Sequence, residues 1–293
     1  MHGLASISAR ARLRSSGTVQ GTGIAVTYFG GPAEREPIEL SAEEFDVLWE
    51  RLDLGQMPLV IKVPSPGKTH QERAELERRV WDGIGARGLG GPTGLHPELD
   101  YLLRLFSRPE REVDGRVWIG KSVRVLAVAN GDFGAVATLT DNRLTFRRAA
   151  GSGLPSAVLG ALPAHPAGTG HSVTMPSTDL EAAVKKSDGS PKSLENSLRE
   201  HGVRQEDAAT LVKMFTGLVH TGNFGAAARD KYGKRCRPDR VVAFFDTEEG
   251  RYLQQRRASN GSVPWSTFTP TDSRRLAHQL DELLAEAVRA AKI

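Results

Sequence analysis

The sequence predicts an α+β fold: two related halves in a quasi-two-fold arrangement around a central, mainly antiparallel sheet flanked by helices. Three observations predict it. Strand-like segments come in pairs joined at turn signals, while helical segments come in runs and do not alternate strictly with strands. LLRLFS (102–107) and LVKMFT (211–216) match conservatively at all six positions, at an offset of 109. VRVLAVANGDFGAVATL (123–139) aligns without gaps on DRVVAFFDTEEGRYLQQ (239–255) at an offset of 116, matching Arg124 with Arg240, Val125 with Val241, Ala127 with Ala243 and Gly134 with Gly250. A period above 100 residues is too long for a solenoid, whose units run roughly 20–50 residues. The expectation is two halves, about 38–165 and 170–292, closing on one core. The seven-residue change in offset places an insertion around KYGKRCRP (231–238).

The elements follow in order. Ser41 and Glu44 form a capping box, and Phe45, Leu48, Trp49 and Leu52 share one helical face. PLVIKV (58–63) predicts a short buried strand and PSPG (64–67) a turn. Thr69 and Glu72 cap a second helix that carries Leu76, Val80 and Ile84 and ends at Gly88. A third helix, from about Pro97 to Ser107, carries Leu99, Leu102, Leu103 and Phe106. Strands are predicted at about 113–128, 134–140 and 143–148, with NGDFG (130–134) and DN (141–142) as turns. A helix at 154–161 and the connector PAHPAGTG (163–170) close the first half. The second half opens with the strand HSVTM (171–175), then helices near 177–186, 191–201 and 205–217. Strands at about 221–229, 239–246 and 250–257 precede WSTFTP (265–270) and a last helix, capped at Asp272 and apolar at Leu276, Leu280, Leu283, Leu284 and Val288.

At 293 residues, with 39% hydrophobic and 25% charged residues, the chain can bury one large core or two modest ones. No apolar run approaches the ~20 residues of a membrane span, so no membrane insertion is expected. The single cysteine, Cys236, cannot form an internal disulfide and suits a reducing, cytoplasmic compartment. Net charge is +4, but Arg10, Arg12 and Arg14 lie in a stretch with no acidic residue before Glu34; without these three of the 39 basic residues, 36 face 35 acidic ones. A near-neutral body is a poor electrostatic partner for nucleic acid. Residues 1–35, rich in Ser, Thr, Gly and Arg, lack an apolar face and a secretory h-region, and are expected to be a disordered tail.

Catalytic patterns are sparse. GRVWIGKS (115–122) satisfies the P-loop pattern at every required position, which makes a nucleotide-binding enzyme the alternative function. A P-loop needs a helix directly after it, because the phosphates sit on that helix's N-terminal amides. Here the β-rich VRVLAVA follows, placing Lys121 on or entering a strand. PSPGKTH (64–70) has Lys62 where the first glycine is required and reads as a turn with an N-cap. The eight histidines show no metal-ligand spacing, and no G-x-S-x-G elbow or carboxylate pair stands out. Lys231, Lys234, Arg235, Arg237 and Arg240 surround Cys236 but are flanked by Asp230 and Asp239, the pattern of a solvated hairpin loop. No catalytic residue, metal, cofactor or small-molecule substrate is assigned.

LSAEEFDVLWERLDLGQMP (40–58), PSPGKTHQERAELE (64–77), RGL (87–89) and above all FFDTEEGRYL (244–253) followed by PWSTFTPTD (264–272) resemble the EspG family, cytosolic chaperones of type VII (ESX) secretion in mycobacteria and other actinobacteria. The resemblance spans about 38–290 and rests on the order and spacing of several blocks. It implies a quasi-two-fold architecture with helices on one side of the sheet. It also implies a non-enzymatic function: binding the helical tip of the PPE partner in a PE–PPE heterodimer, keeping it soluble and delivering it to the secretion machinery. Trp81-Asp82-Gly83 matches the W-x-G signature of small helical substrates of that system, but it lies late in a helix of a much larger chain, which favours chaperone over cargo.

The resemblance places the binding surface in the second half, on the helices across 177–217 and the strand from Thr221. Arg204, Lys213, Asn223 and Phe224 are the residues there expected to carry charge or a ring off the core stripe. The first-half hairpin at 128–134 is the second choice.

Overall fold

The computed structural model describes residues 36–257 and 263–292; the tail expected at 1–35 lies outside the described residues. The first half runs β1 (Ile38–Ser41), α1 (Ala42–Arg51), α2 (His70–Ala86), the two-residue strands β2 (Gly90–Gly91) and β3 (Gly94–Leu95), α3 (Pro97–Ser107), β4 (Arg111–Trp118), β5 (Ser122–Asn130), β6 (Phe133–Thr140), β7 (Arg143–Ala150) and α4 (Leu154–Leu159). The second runs β8 (Val173–Pro176), α5 (Ser177–Lys186), α6 (Pro191–Glu200), α7 (Gln205–Phe215), β9 (Leu218–Arg229), β10 (Arg235–Cys236), β11 (Val242–Thr247), β12 (Gly250–Arg257), β13 (Trp265–Pro270) and α8 (Ser273–Ala291).

One large sheet organises the fold, with strand order β1-β7-β6-β5-β4-β9-β11-β12-β13-β8 and β10 added beside β9, while β2 and β3 pair separately. Its named strand pairs are antiparallel. Read outward from the β4–β9 seam, the two sides repeat each other: hairpin, hairpin, then a short edge strand that leads straight into a helix. At the seam Gly115 pairs with Phe224, its own counterpart at an offset of 109, so the quasi-two-fold axis passes through that pair. A Cβ on Gly115 would lie 2.5 Å from the Phe224 ring, so the crossing requires glycine.

The second echo is out of register by one residue. The β5–β6 turn closes on Asn130 paired with Phe133, and the β11–β12 turn on Thr247 paired with Gly250. Superposing these turns puts Phe133 on Gly250, 117 residues on, not Gly134 on Gly250. Strand side chains alternate, so a slip of one residue exchanges the two faces. At 117, Leu126 and Val128 correspond to Ala243 and Phe245, which face the same side of the sheet as they do. At 116 they would fall on Val242 and Phe244, which belong to the opposite core. Gly250 is glycine for a local reason. Its φ is +129°, and a Cβ there would lie 2.6 Å from the Ala167 carbonyl.

Helices cover both faces, contrary to the one-sided arrangement expected. On the front, α1, α2 and α3 bury Phe45, Leu48, Leu76, Leu103 and Phe106 against Leu126, Val128, Leu139 and Phe146. Also on the front, α5, α6 and α7 bury Leu180, Leu198, Leu211 and Phe215 against Phe245, Tyr252 and Phe268. On the back, α4 and α8 cover Val113, Val117, Val125, Phe224, Ala226, Val242 and Phe244. The spacing of Leu276, Leu280, Leu283, Leu284 and Ala287 lays one stripe of α8 on the seam, and each such leucine stabilises by roughly 1.5–3 kcal/mol on burial. Asp272 caps α8 by accepting from the Arg275 amide.

Two predicted strands are corrected. Residues 58–63 make a turn, with the Ile61 amide donating to the Pro58 carbonyl, and an extended connector; Val60, Ile61 and Val63 are buried without entering the sheet. The apolar run reflects burial under helices, which the sequence cannot distinguish from a strand. The single strand expected at 113–128 is two strands, β4 and β5, folded back at Ile119-Gly120-Lys121, where Gly120 has φ +79°.

Candidate partner-binding surface

A single row of paired residues crosses the front of the sheet: Leu40, Leu144, Leu139, Arg124, Arg116, Asn223, Ala243, Gln254, Phe268, Val173. Its two ends are apolar and lie in the two front cores. Its centre is polar and uncovered: Arg116 and Asn223 are exposed, and Arg124 and Ala243 half-buried. The floor between the two front helical layers is therefore made by β4 and β9.

On one side of this row the insertion folds back over the floor. Opposite Asp114 and Glu112 on β4, strand β9 places the small residues Gly225 and Ala227. Arg237 lies across Gly225, where even a Cβ would come within 1.7 Å of its guanidinium, and reaches Asp114. Arg235 reaches Glu112, its Nε donating at 2.6 Å, and Arg240 pairs with Glu286 of α8 at 2.7 Å. The expected solvated loop thus spends three of its five cations on internal ion pairs. Cys236, between two of them, is partly buried against the back core.

The row itself has no such compensation. Arg116 and Arg124 stand directly opposite each other on β4 and β5. Arg124 donates to the Lys62 carbonyl at 3.1 Å; the Arg116 side chain has no hydrogen bond or ion pair among the described residues. Burial, and after it the charge of Arg116, holds the Arg124 guanidinium below its usual pKa.

The four residues singled out from the sequence do not converge. Arg204 is the N-cap residue of α7, its side chain donating to Asp207 at 2.9 Å, and His171 binds the same carboxylate. Together, His171 first and then Arg204, they pull the Asp207 pKa down. Lys213 lies nine positions along, about half a turn round the helix, and pairs with Glu249 of the β11–β12 turn at 3.3 Å. Asn223 belongs to the open row. Phe224 does not present its ring: it is fully buried and stacked on Phe244 at 5.8 Å on the back of the sheet. Strand alternation explains this, because adjacent residues must face opposite ways. Arg116 and Arg124 were missed; cross-strand pairing brings them together, and their sequence spacing does not announce it. The first-half hairpin carries an exposed edge-to-face pair, Phe133 with Tyr101 of α3, at 6.4 Å.

The family model for the EspG family matches residues 41–282. The chain belongs to the EspG family. No protein with a curated description matches it. Among solved structures it is similar to the type VII secretion system chaperone EspG5 of Mycobacterium tuberculosis, determined in complex with a PE25–PPE41 dimer. The TM-score is 0.64 at 14% identity, over 86% of this chain and 96% of that one. At that identity the likeness is one of fold, and it extends over most of both chains.

The P-loop pattern of this EspG-family chain is a β-hairpin. Gly115 is in β4, Gly120 and Lys121 form the turn, and β5 begins at Ser122. Lys121 is half-exposed and paired with Asp141 at 3.3 Å. A strand and not a helix follows this lysine, so the pattern itself supplies no helix N-terminus to cradle a phosphate. Trp81-Asp82-Gly83 lies within α2 and not in a turn between helices. Among the described residues no group of histidine, cysteine or carboxylate side chains is arranged to hold a metal, and no helix is long and apolar enough to cross a membrane.

Proposed function

We propose that this chain is a cytoplasmic, non-enzymatic chaperone that binds a PE–PPE-type substrate of a type VII secretion system, keeps it soluble and targets it for export. The match to the EspG family over residues 41–282 carries this reading, together with a fold shared with a chaperone solved on a PE–PPE dimer. The physics supports it. A helical substrate with an exposed apolar tip self-associates in water, and a protein surface that covers the tip removes that patch from solvent. Release before export calls for an interface of standard size with polar content, which an open, partly charged sheet floor provides.

The surface proposed for this contact is the front of the second half with the adjoining floor: Arg204 and Lys213 on α7 and Asn223 on β9, with buried Phe224 supporting the strand from behind. The alternative of a nucleotide-binding enzyme at 115–122 finds no support in a hairpin. Co-expression with the PE–PPE pair encoded nearest its gene, followed by size-exclusion chromatography, tests the reading. A co-eluting ternary complex is expected. Separate elution from each soluble PE–PPE pair of the same genome would refute it.

A further inference from the structure

We infer that Arg116 and Arg124 form a carboxylate-recognition site, and that the PE–PPE substrate fills it with an acidic side chain. The inference rests on the chaperone reading above and adds the chemistry of one contact to it.

Like charges directly opposite each other on neighbouring strands destabilise a sheet. Asp114, two residues from Arg116 on the same face of β4, is held by Arg237. Arg116 is unpaired among the described residues, and Arg124 is bonded only to a neutral carbonyl. Outside the described residues, Glu34 is the sole acidic side chain.

The quasi-two-fold axis shows where the anion is missing. It maps the pair Asp114–Gly225 onto the pair Asn223–Arg116. In the first pair a guanidinium, that of Arg237, lies over Gly225 and meets the Asp114 carboxylate. In the second a guanidinium again sits beside the axis, belonging to Arg116 itself, and the residue opposite is a neutral carboxamide. One half of the floor thus carries a closed arginine–carboxylate pair. The other carries the arginine, a second arginine next to it, and Asn223 where the carboxylate would be. Asn223 leaves the charge open and offers an amide that can hydrogen-bond the incoming group. The arginine pair is absent from the second half, where the counterparts of Arg116 and Arg124 are Gly225 and Val241, so it also fixes which way round a substrate lies on a nearly symmetric sheet. Arginine suits the task, because its planar fork binds a carboxylate through two parallel hydrogen bonds.

The test uses the full chain and the PE–PPE pair encoded nearest its gene, with affinity measured by biolayer interferometry at low and high salt. The double variant Arg116→Glu, Arg124→Glu is expected to weaken binding ~100-fold or more, and wild-type affinity to fall with salt more steeply than that of the variant. Asn223→Asp supplies the carboxylate internally. It is expected to weaken binding ~10-fold while leaving the Tm no lower than wild type, a combination that a merely structural role for Asn223 would not give. Binding within about twofold of wild type by a folded double variant would overturn the inference. So would unchanged binding by Asn223→Asp, which decides the matter if the double variant does not fold. Failure of the wild-type chain to bind the pair would instead strike the chaperone reading, and this inference with it.

Discussion

Asp246 is fully buried, and its side-chain carboxylate is held by Arg251 and His220. The Arg251 guanidinium donates Nε to one oxygen at 2.7 Å and Nη2 to the other at 2.9 Å, and His220 Nδ1 lies 3.0 Å from the latter. Arg251, itself buried, also donates to Ser273 and the Pro163 carbonyl and lies over the Phe244 ring at 5.2 Å. Such a pair contributes little net stability while intact, because desolvating both charges offsets their attraction. Removing one partner is costly. Asp246→Ala leaves a buried guanidinium uncompensated, and urea denaturation is expected to show a loss of about 3–5 kcal/mol. Both residues sit inside FFDTEEGRYL, so their importance was visible as a motif. Their partnership was not, because it needs β11 and β12 to pair across their turn and Pro163 to come from the far end of the connector.

Among the elements, the helices were the most legible. The Ser41–Glu44 and Thr69–Glu72 capping boxes form as the sequence predicts, each side chain accepting from the amide three residues on. Local chemistry suffices there, because a cap involves neighbours in the chain. Strands were less legible where no familiar turn dipeptide marks the bend. Ile119-Gly120-Lys121 was absorbed into one long predicted strand because it lacks the Asn-Gly or Asp-Gly signature. The same hairpin yields a prediction. Lys121→Ala is expected to change stability by no more than ~0.5 kcal/mol in chemical denaturation, since its one ion pair, to Asp141, is exposed at the surface. Saturable, lysine-dependent ATP binding in isothermal titration would contradict the hairpin assignment.

For the whole molecule, the seam between β4 and β9 is the decisive joint. Eight residue pairs cross it, from Arg111–Ala228 to Trp118–Thr221, and α8 from the second half lies over both strands. Cut at the connector, each half would expose a long unpaired strand edge and part of the back core, the combination that drives edge-to-edge aggregation. Residues 36–165 and 170–292 expressed separately are therefore expected to be insoluble or to self-associate, and to yield a monomer-sized complex only when co-expressed. Soluble, monomeric halves by size-exclusion chromatography would show that the seam is not needed for folding.

The sequence by itself determined the fold class, the order of nearly all elements, the helix caps and the family, because these are written in local periodicity, turn chemistry and the order and spacing of motif blocks. It also carried the internal echo, though one residue out of register. Tertiary structure alone decided which face each strand residue takes, and with it the burial of Phe224. It also decided that helices cover both sides of the sheet, that Arg235 and Arg237 fold onto β4, and that Arg116 faces Arg124 with neither in an ion pair among the described residues. For the strand residues the physical reason is shared. Strand pairing and side-chain alternation turn a one-residue difference in register into a change of face; β4 pairs with β9 across more than a hundred residues, and Arg116 meets Arg124 across a hairpin that the sequence pattern presents as one strand.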